Sequence, residues 1–207
     1  MRKIRLVLNV LVFTSMTMAE QKPISHVSPV GLMVAMFFAL LFLGPCHSHA
    51  EAPSDGYNLF APIGSKTTYL MDNDGTMVHS WTSAYRPGQS VYLLEDSTLL
   101  RTANTQDATF NAGGAGGRVE QFNWDGARQW EFEYRSDQYR LHHDIEVLPN
   151  GNVLMIAWEM KTESEAVAAG RNPSLLTDEL WPDHVIEVAP TGTSGGTIVW
   201  EWHVWDH

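Results

Sequence analysis

Val91-Tyr92-Leu93-Leu94-Glu95-Asp96-Ser97-Thr98-Leu99-Leu100 and Ile145-Glu146-Val147-Leu148-Pro149-Asn150-Gly151-Asn152-Val153-Leu154 align without a gap at an offset of 54 residues. Each reads as a strand, a tight turn and a second strand. Asn150-Gly151 supplies the residue types that hairpin turns with positive φ select. A second unit repeats around these hairpins: Thr68-Tyr69-Leu70-Met71-Asp72-Asn73-Asp74-Gly75, then Val119-Glu120-Gln121-Phe122-Asn123-Trp124-Asp125-Gly126, then Val185-Ile186-Glu187-Val188-Ala189-Pro190-Thr191-Gly192. A tryptophan-bearing strand follows each copy, with Trp81, then Trp130-Glu131-Phe132, then Trp200-Glu201-Trp202. Trp130, Phe132 and Tyr134 alternate with other residues, which is the period-two pattern of a strand.

The order is hairpin after hairpin. With the four strands of a unit called A to D, residues 57–83 supply B, C and D, residues 90–135 supply a full set, and residues 143–205 supply another. Four-stranded units recurring at about fifty residues read as β-propeller blades. The expected fold class is therefore all-β, with about two and two-thirds four-stranded propeller blades and tryptophans at the blade interfaces. The rival is an all-β sandwich whose repeats are accidental. Residues 162–183 form an insertion between B and C of the last unit. Thr162-Glu163-Ser164-Glu165 is a capping-box sequence, and Gly170 ends the short helix it predicts. The glycine-rich Gly113-Gly114-Ala115-Gly116-Gly117 lacks the strand-then-helix setting of a dinucleotide site and reads as a flexible loop.

The chain has 207 residues and a net charge of −11, unevenly placed. Residues 1–50 hold four basic residues and one acidic, whereas the remainder holds 9 basic and 23 acidic. So acidic a body excludes general nucleic-acid binding, which needs Lys and Arg on phosphates. The basic start Met1-Arg2-Lys3-Ile4-Arg5 leads an apolar run to Ala19, and a second uncharged run spans residues 30–44. Ser48 and Ala50 fit the small-x-small rule, so residues 1–50 read as a signal peptide cut after Ala50, with an uncleaved N-terminal anchor as the alternative. Residues 51–207 are then an exported domain, periplasmic or otherwise, whose membrane contact is limited to the N-terminal segment. The single Cys46 lies in the leader, so the exported part has no disulfide framework.

Nine histidines are present, six of them after residue 51: His79, His142, His143, His184, His203 and His207. His142 and His143 lie where the chain enters strand A of the last unit, at the place Gln89-Ser90 occupies one repeat earlier. In a propeller that place faces the central channel, where imidazole can act as nucleophile, general acid–base group or metal ligand. His207 is placed on the same rim. His184 opens a C strand with Asp183 beside it. Asp72-Asn73-Asp74-Gly75 begins like a calcium loop but lacks its glutamate, and its repeats mark it as a turn. Arg140 and Arg171 are candidates for binding an anion, though nothing in their spacing fixes it. No nucleophilic cysteine, Gly-x-Ser-x-Gly or Cys-x-x-Cys occurs.

Three stretches carry a resemblance. His142-His143-Asp144-Ile145-Glu146-Val147-Leu148-Pro149-Asn150-Gly151-Asn152, Leu180-Trp181-Pro182-Asp183-His184-Val185-Ile186-Glu187-Val188 and Ile198-Val199-Trp200-Glu201-Trp202-His203-Val204-Trp205-Asp206-His207 together resemble the bacterial arylsulfotransferase family. The resemblance implies a six-bladed propeller, usually periplasmic. It implies sulfuryl transfer from an aryl sulfate ester to a phenol through a histidine nucleophile, without a nucleotide donor. Imidazole is a good nucleophile, and donors around the equatorial oxygens favour the charged transition state. Carried onto this chain, it puts forward His143, His142 and His207 as catalytic and Arg140 and Asn152 as substrate-binding. It implies no cofactor and no metal; its partners are a small aryl sulfate and a phenol, with a homo-oligomer left open. Family members are longer, so the chain is expected to be an N-terminal fragment, truncated at its C-terminus, with the nucleophilic histidine beyond His207. The alternative is a non-catalytic binding or scaffold propeller of the bacterial envelope.

Overall fold

The computed structural model describes residues 54–106, 109–176 and 178–207. The alternation in the sequence is that of the backbone pleat, which sends successive side chains to opposite faces of a sheet. Strands β1 (Tyr57–Phe60), β2 (Thr67–Asp72) and β3 (Met77–Thr82) form a first sheet. Strands β4 (Arg86–Leu93), β5 (Leu99–Asn104), β6 (Gly117–Phe122) and β7 (Arg128–Glu133) form a second. Strands β8 (Tyr139–Val147), β9 (Val153–Glu159), β10 (Asp183–Pro190) and β11 (Gly196–His203) form a third. Within each sheet the strands pair in chain order, and every pairing is antiparallel.

The propeller expectation is corrected at the next level. The described residues form three separate antiparallel sheets of three, four and four strands, and among them no strand of one sheet is ladder-paired with a strand of another. Among the described residues none of the sheets closes on itself, and no closing interaction joins the first to the last. The description as two and two-thirds blades of a six-bladed β-propeller therefore does not hold, and neither does the central channel inferred from it. The physical reason is that the repeat encodes hairpins, turns and aromatic faces, all of them local. Ring closure is a relation between distant sheets that these residues do not make.

What joins the sheets is side-chain packing. Leu70 and Trp81 of the first sheet pack with Leu99 and Phe122 of the second. Leu100, Val119, Trp130 and Phe132 of the second pack with Leu141, Ile145, Met155, Ala157, Ile186 and Val188 of the third. Each such side chain contributes about 1.5–3 kcal/mol when fully buried. The repeated tryptophans add one bond each: Trp81 Nε1–H donates to Asn123 O at 2.9 Å, and Trp130 Nε1–H donates to Gly195 O at 2.8 Å. Asn123 and Gly195 occupy corresponding turns, β6–β7 and β10–β11. Trp200, on the outermost strand of the third sheet, is 48% exposed.

Helix α1 (Glu163–Ala168) fills the insertion between β9 and β10. Its capping box forms as expected: Thr162 Oγ1 accepts from Glu165 N–H at 3.3 Å, and Glu165 Oε2 accepts from Thr162 N–H at 2.7 Å. Gly170, at φ +99°, ends it in a conformation that only glycine adopts readily. Among the described residues no helix is long and apolar enough to cross a membrane. The leader expected at residues 1–50 lies outside the described residues.

Candidate functional site

The site is built on a break in strand pairing. Leu141 pairs with Ala157 and Ile145 with Met155, so β8 advances four residues while β9 advances two. The surplus chain, His142-His143-Asp144, forms a bulge. Bulges re-aim side chains beside functional sites. The same interruption recurs one repeat earlier, between Pro87 and Val91 of β4. Gln89 and His143, 54 residues apart, both have positive φ, 136° and 49°. For a residue with a Cβ that region is uncommon, so the surroundings must hold it.

They do so through the glycine-rich loop, which is docked rather than free. His143 N–H donates to Gly114 O at 2.8 Å, and Gly116 N–H donates to Leu141 O at 3.0 Å. Ala115 forms a bridge with His142. The His143 ring lies where a side chain at Gly114 would stand, and Gly114 itself has φ +88°. Glycine is therefore required there twice over, for backbone and for space.

His142 is 5% exposed and stacks on Trp158 at 4.1 Å. Its Nε2 lies 3.0 Å from Asp183 Oδ1, and its Nδ1 lies 2.8 Å from His143 Nδ1. Burial pushes its pKa down to about 4, the Asp183 carboxylate opposing and His143 and His184 adding to the fall. A neutral ring has one donor and one acceptor nitrogen. The carboxylate accepts only, so His142 Nε2 carries the proton and His142 Nδ1 accepts. His143 Nδ1–H must then donate, which leaves the lone pair of a neutral His143 ring on Nε2. The result is a hydrogen-bond chain, Asp183 to His142 to His143, ending on an exposed histidine. Asp144, the next residue along, accepts from Tyr92 Oη–H at 2.7 Å. That bond, together with burial of the phenol, raises the pKa of Tyr92.

The other expected site residues lie apart. Arg140 is 1% exposed and directs its guanidinium to Phe110 O, Gly116 O and Asn104 Oδ1 at 3.2, 3.3 and 3.0 Å, underpinning the loop. Asn152 lies in the β8–β9 turn, beyond the end of β8 remote from His142, and its amide donates to Glu187 Oε1. His207 stacks on Trp202 at 5.3 Å. The structure thus brings together His142 and His143 and adds Asp183, Trp158 and Gly114, which sequence reasoning did not assign. Asp183 is 41 residues from His142 in sequence, and only the Trp181-Pro182-Asp183-His184 stretch of the resemblance hinted at it. A shallow depression of about 270 Å³ lies beside the bulge, lined by Asp144 and by apolar Ile145, Leu154, Ile156 and Val185 among others. Metal-ligating atoms come within mutual reach elsewhere on this sheet, at Glu159, His184 and His203.

No curated protein matches the chain significantly. A family model described as Arylsulfotransferase (ASST) matches residues 65–207, a span that contains the whole Asp183–His142–His143 chain. That match covers more than half of the sequence, and the protein belongs to the arylsulfotransferase family, a family of transferases.

Proposed function

We propose that the protein takes part in sulfuryl transfer from an aryl sulfate ester to a phenol, with a histidine as the carrier, and that His143 moves the proton. Family membership supports the reaction class. The hydrogen-bond chain from Asp183 through His142 to His143 is the observation that carries the assignment of the proton. In the acceptor half-reaction the phenol oxygen attacks sulfur, the bond from sulfur to the carrier nitrogen breaks, and His143 Nε2 takes the phenolic proton. In the donor half-reaction the S–O(aryl) bond breaks as the carrier nitrogen bonds sulfur, and a protonated His143 returns a proton to the departing aryl oxide. His142 and Asp183 are positioning residues: they fix the tautomer of His143. The apolar depression beside Asp144 suits an aryl group. None of the described histidines takes the role of carrier in this reading.

The leader reading of residues 1–50 places the reaction outside the cytoplasm. N-terminal sequencing of exported protein is expected to begin at Glu51.

The kinetic test uses purified full-length protein, carrier histidine included, with para-nitrophenyl sulfate and phenol, following para-nitrophenolate. His143→Ala is expected to lower kcat on the order of 10²–10⁴-fold, the usual span for loss of a general acid–base group. Asp183→Asn is expected to lower it less and to move the pH–rate profile, which a purely structural role would not do. Wild-type turnover in both His142→Ala and His143→Ala removes the pair from the reaction.

A further inference from the structure

We propose that Glu159, His184 and His203 form a binding site for a divalent transition-metal ion of the zinc class, on the face of the third sheet opposite Asp183 and Trp158. The ligands come from three adjacent strands, β9, β10 and β11. His184 pairs with Ala157 on one side and with His203 on the other, and Glu159 stands two residues along from Ala157. Period-two alternation therefore sets Glu159, His184 and His203 on one face, and Trp158 and Asp183 on the other. One ligand atom from each residue lies within 4.8 Å of the other two.

Two of those residues have polar atoms the fold leaves unsatisfied. His184 is 1% exposed, and its Nδ1 is buried without a hydrogen-bond partner. Glu159 Oε1 is buried in the same condition. An unsatisfied buried polar atom costs about 1–3 kcal/mol, so each of these two calls for a partner that the protein does not supply. The rest of each side chain is already committed. His184 Nε2 lies 3.1 Å from Tyr134 Oη. With Nε2–H donated to that phenol, the lone pair of His184 stands on Nδ1, as metal-binding imidazoles require of their outer partner. Glu159 Oε2 holds Lys161 Nζ at 3.0 Å and His203 Nδ1 at 3.2 Å. Lys161 also lies over the Trp205 ring, 5.3 Å from its centre, so its ammonium has a second place to rest beside a bound ion.

Two imidazoles and one carboxylate are the donor set of zinc and its neighbours, not of magnesium or calcium, which select oxygen. Three protein ligands leave a position for water. An ion there ties β11, the outermost strand of its sheet, to β9 and β10.

The test is zinc titration of the purified full chain after chelator treatment, read by calorimetry and by thermal unfolding, with magnesium as the control. One zinc per chain is expected at this site, with Tm rising by roughly 5 °C at saturating zinc and no response to magnesium. His203→Ala and the isosteric Glu159→Gln are each expected to weaken zinc binding by at least about 10-fold, and His142→Ala to leave it unchanged. Unaltered circular dichroism in Glu159→Gln guards against loss by misfolding. Absence of zinc binding in the wild type overturns the proposal, as does binding that survives both His203→Ala and Glu159→Gln.

Discussion

His142 is held neutral by its burial, and that has a consequence for stability. An unfolded histidine titrates near 6.5, whereas His142 in the folded chain titrates at about 4. Between those values the unfolded state binds the extra proton, so stability falls as pH drops through this window and the loss is complete below the folded value. Asp183, His143 and His184 act together with burial in setting that value. Replacing His142 by Gln is expected to remove a penalty of about 3 kcal/mol at pH 4. Urea denaturation of both proteins at pH 7 and pH 4 measures it. An equal pH dependence in the two would show that His142 does not contribute. His142 and His143 were legible in the sequence as an adjacent pair at a repeated position. Their partner was not, because Asp183 reaches them across a sheet, and the bulge that aims them is a property of pairing between β8 and β9.

At the scale of elements, the repeated tryptophans test how the sheets are joined. Trp130 is buried and donates to the turn of the following sheet, whereas Trp200 is half exposed at the edge. Trp130→Phe is expected to cost about 1–3 kcal/mol through the lost bond and the void it leaves. Trp200→Phe is expected to stay within about 0.5 kcal/mol. Chemical denaturation of each variant checks this, and equal losses would contradict the packing described. Strands, turns and the capping box of α1 were legible because each rests on residues close in sequence. The propeller was not correctly read, since a run of similar sheets does not determine whether they close. The loop at residues 113–117 was underestimated for a related reason: its composition announces freedom, while Gly114 uses that freedom, at φ +88°, to receive β8.

Over the whole molecule, an acidic chain is asked to meet a sulfate ester, and the buried arginines do not answer for it. Arg101 lies against Lys66 O and Tyr85 O, and Arg140 lies against the loop carbonyls. Facing solvent at the bulge are the His143 imidazole, whose charge follows the proton it carries, and the carboxylates of Asp144 and Asp183. That makes the central claim one about proton transfer at His143, and imidazole rescue tests it most directly. In His143→Ala of the full-length protein, with para-nitrophenyl sulfate and phenol, turnover should fall and then recover in part as free imidazole is added, while the wild type is unaffected. Wild-type turnover without imidazole, or a loss that no concentration of imidazole restores, would contradict the assignment.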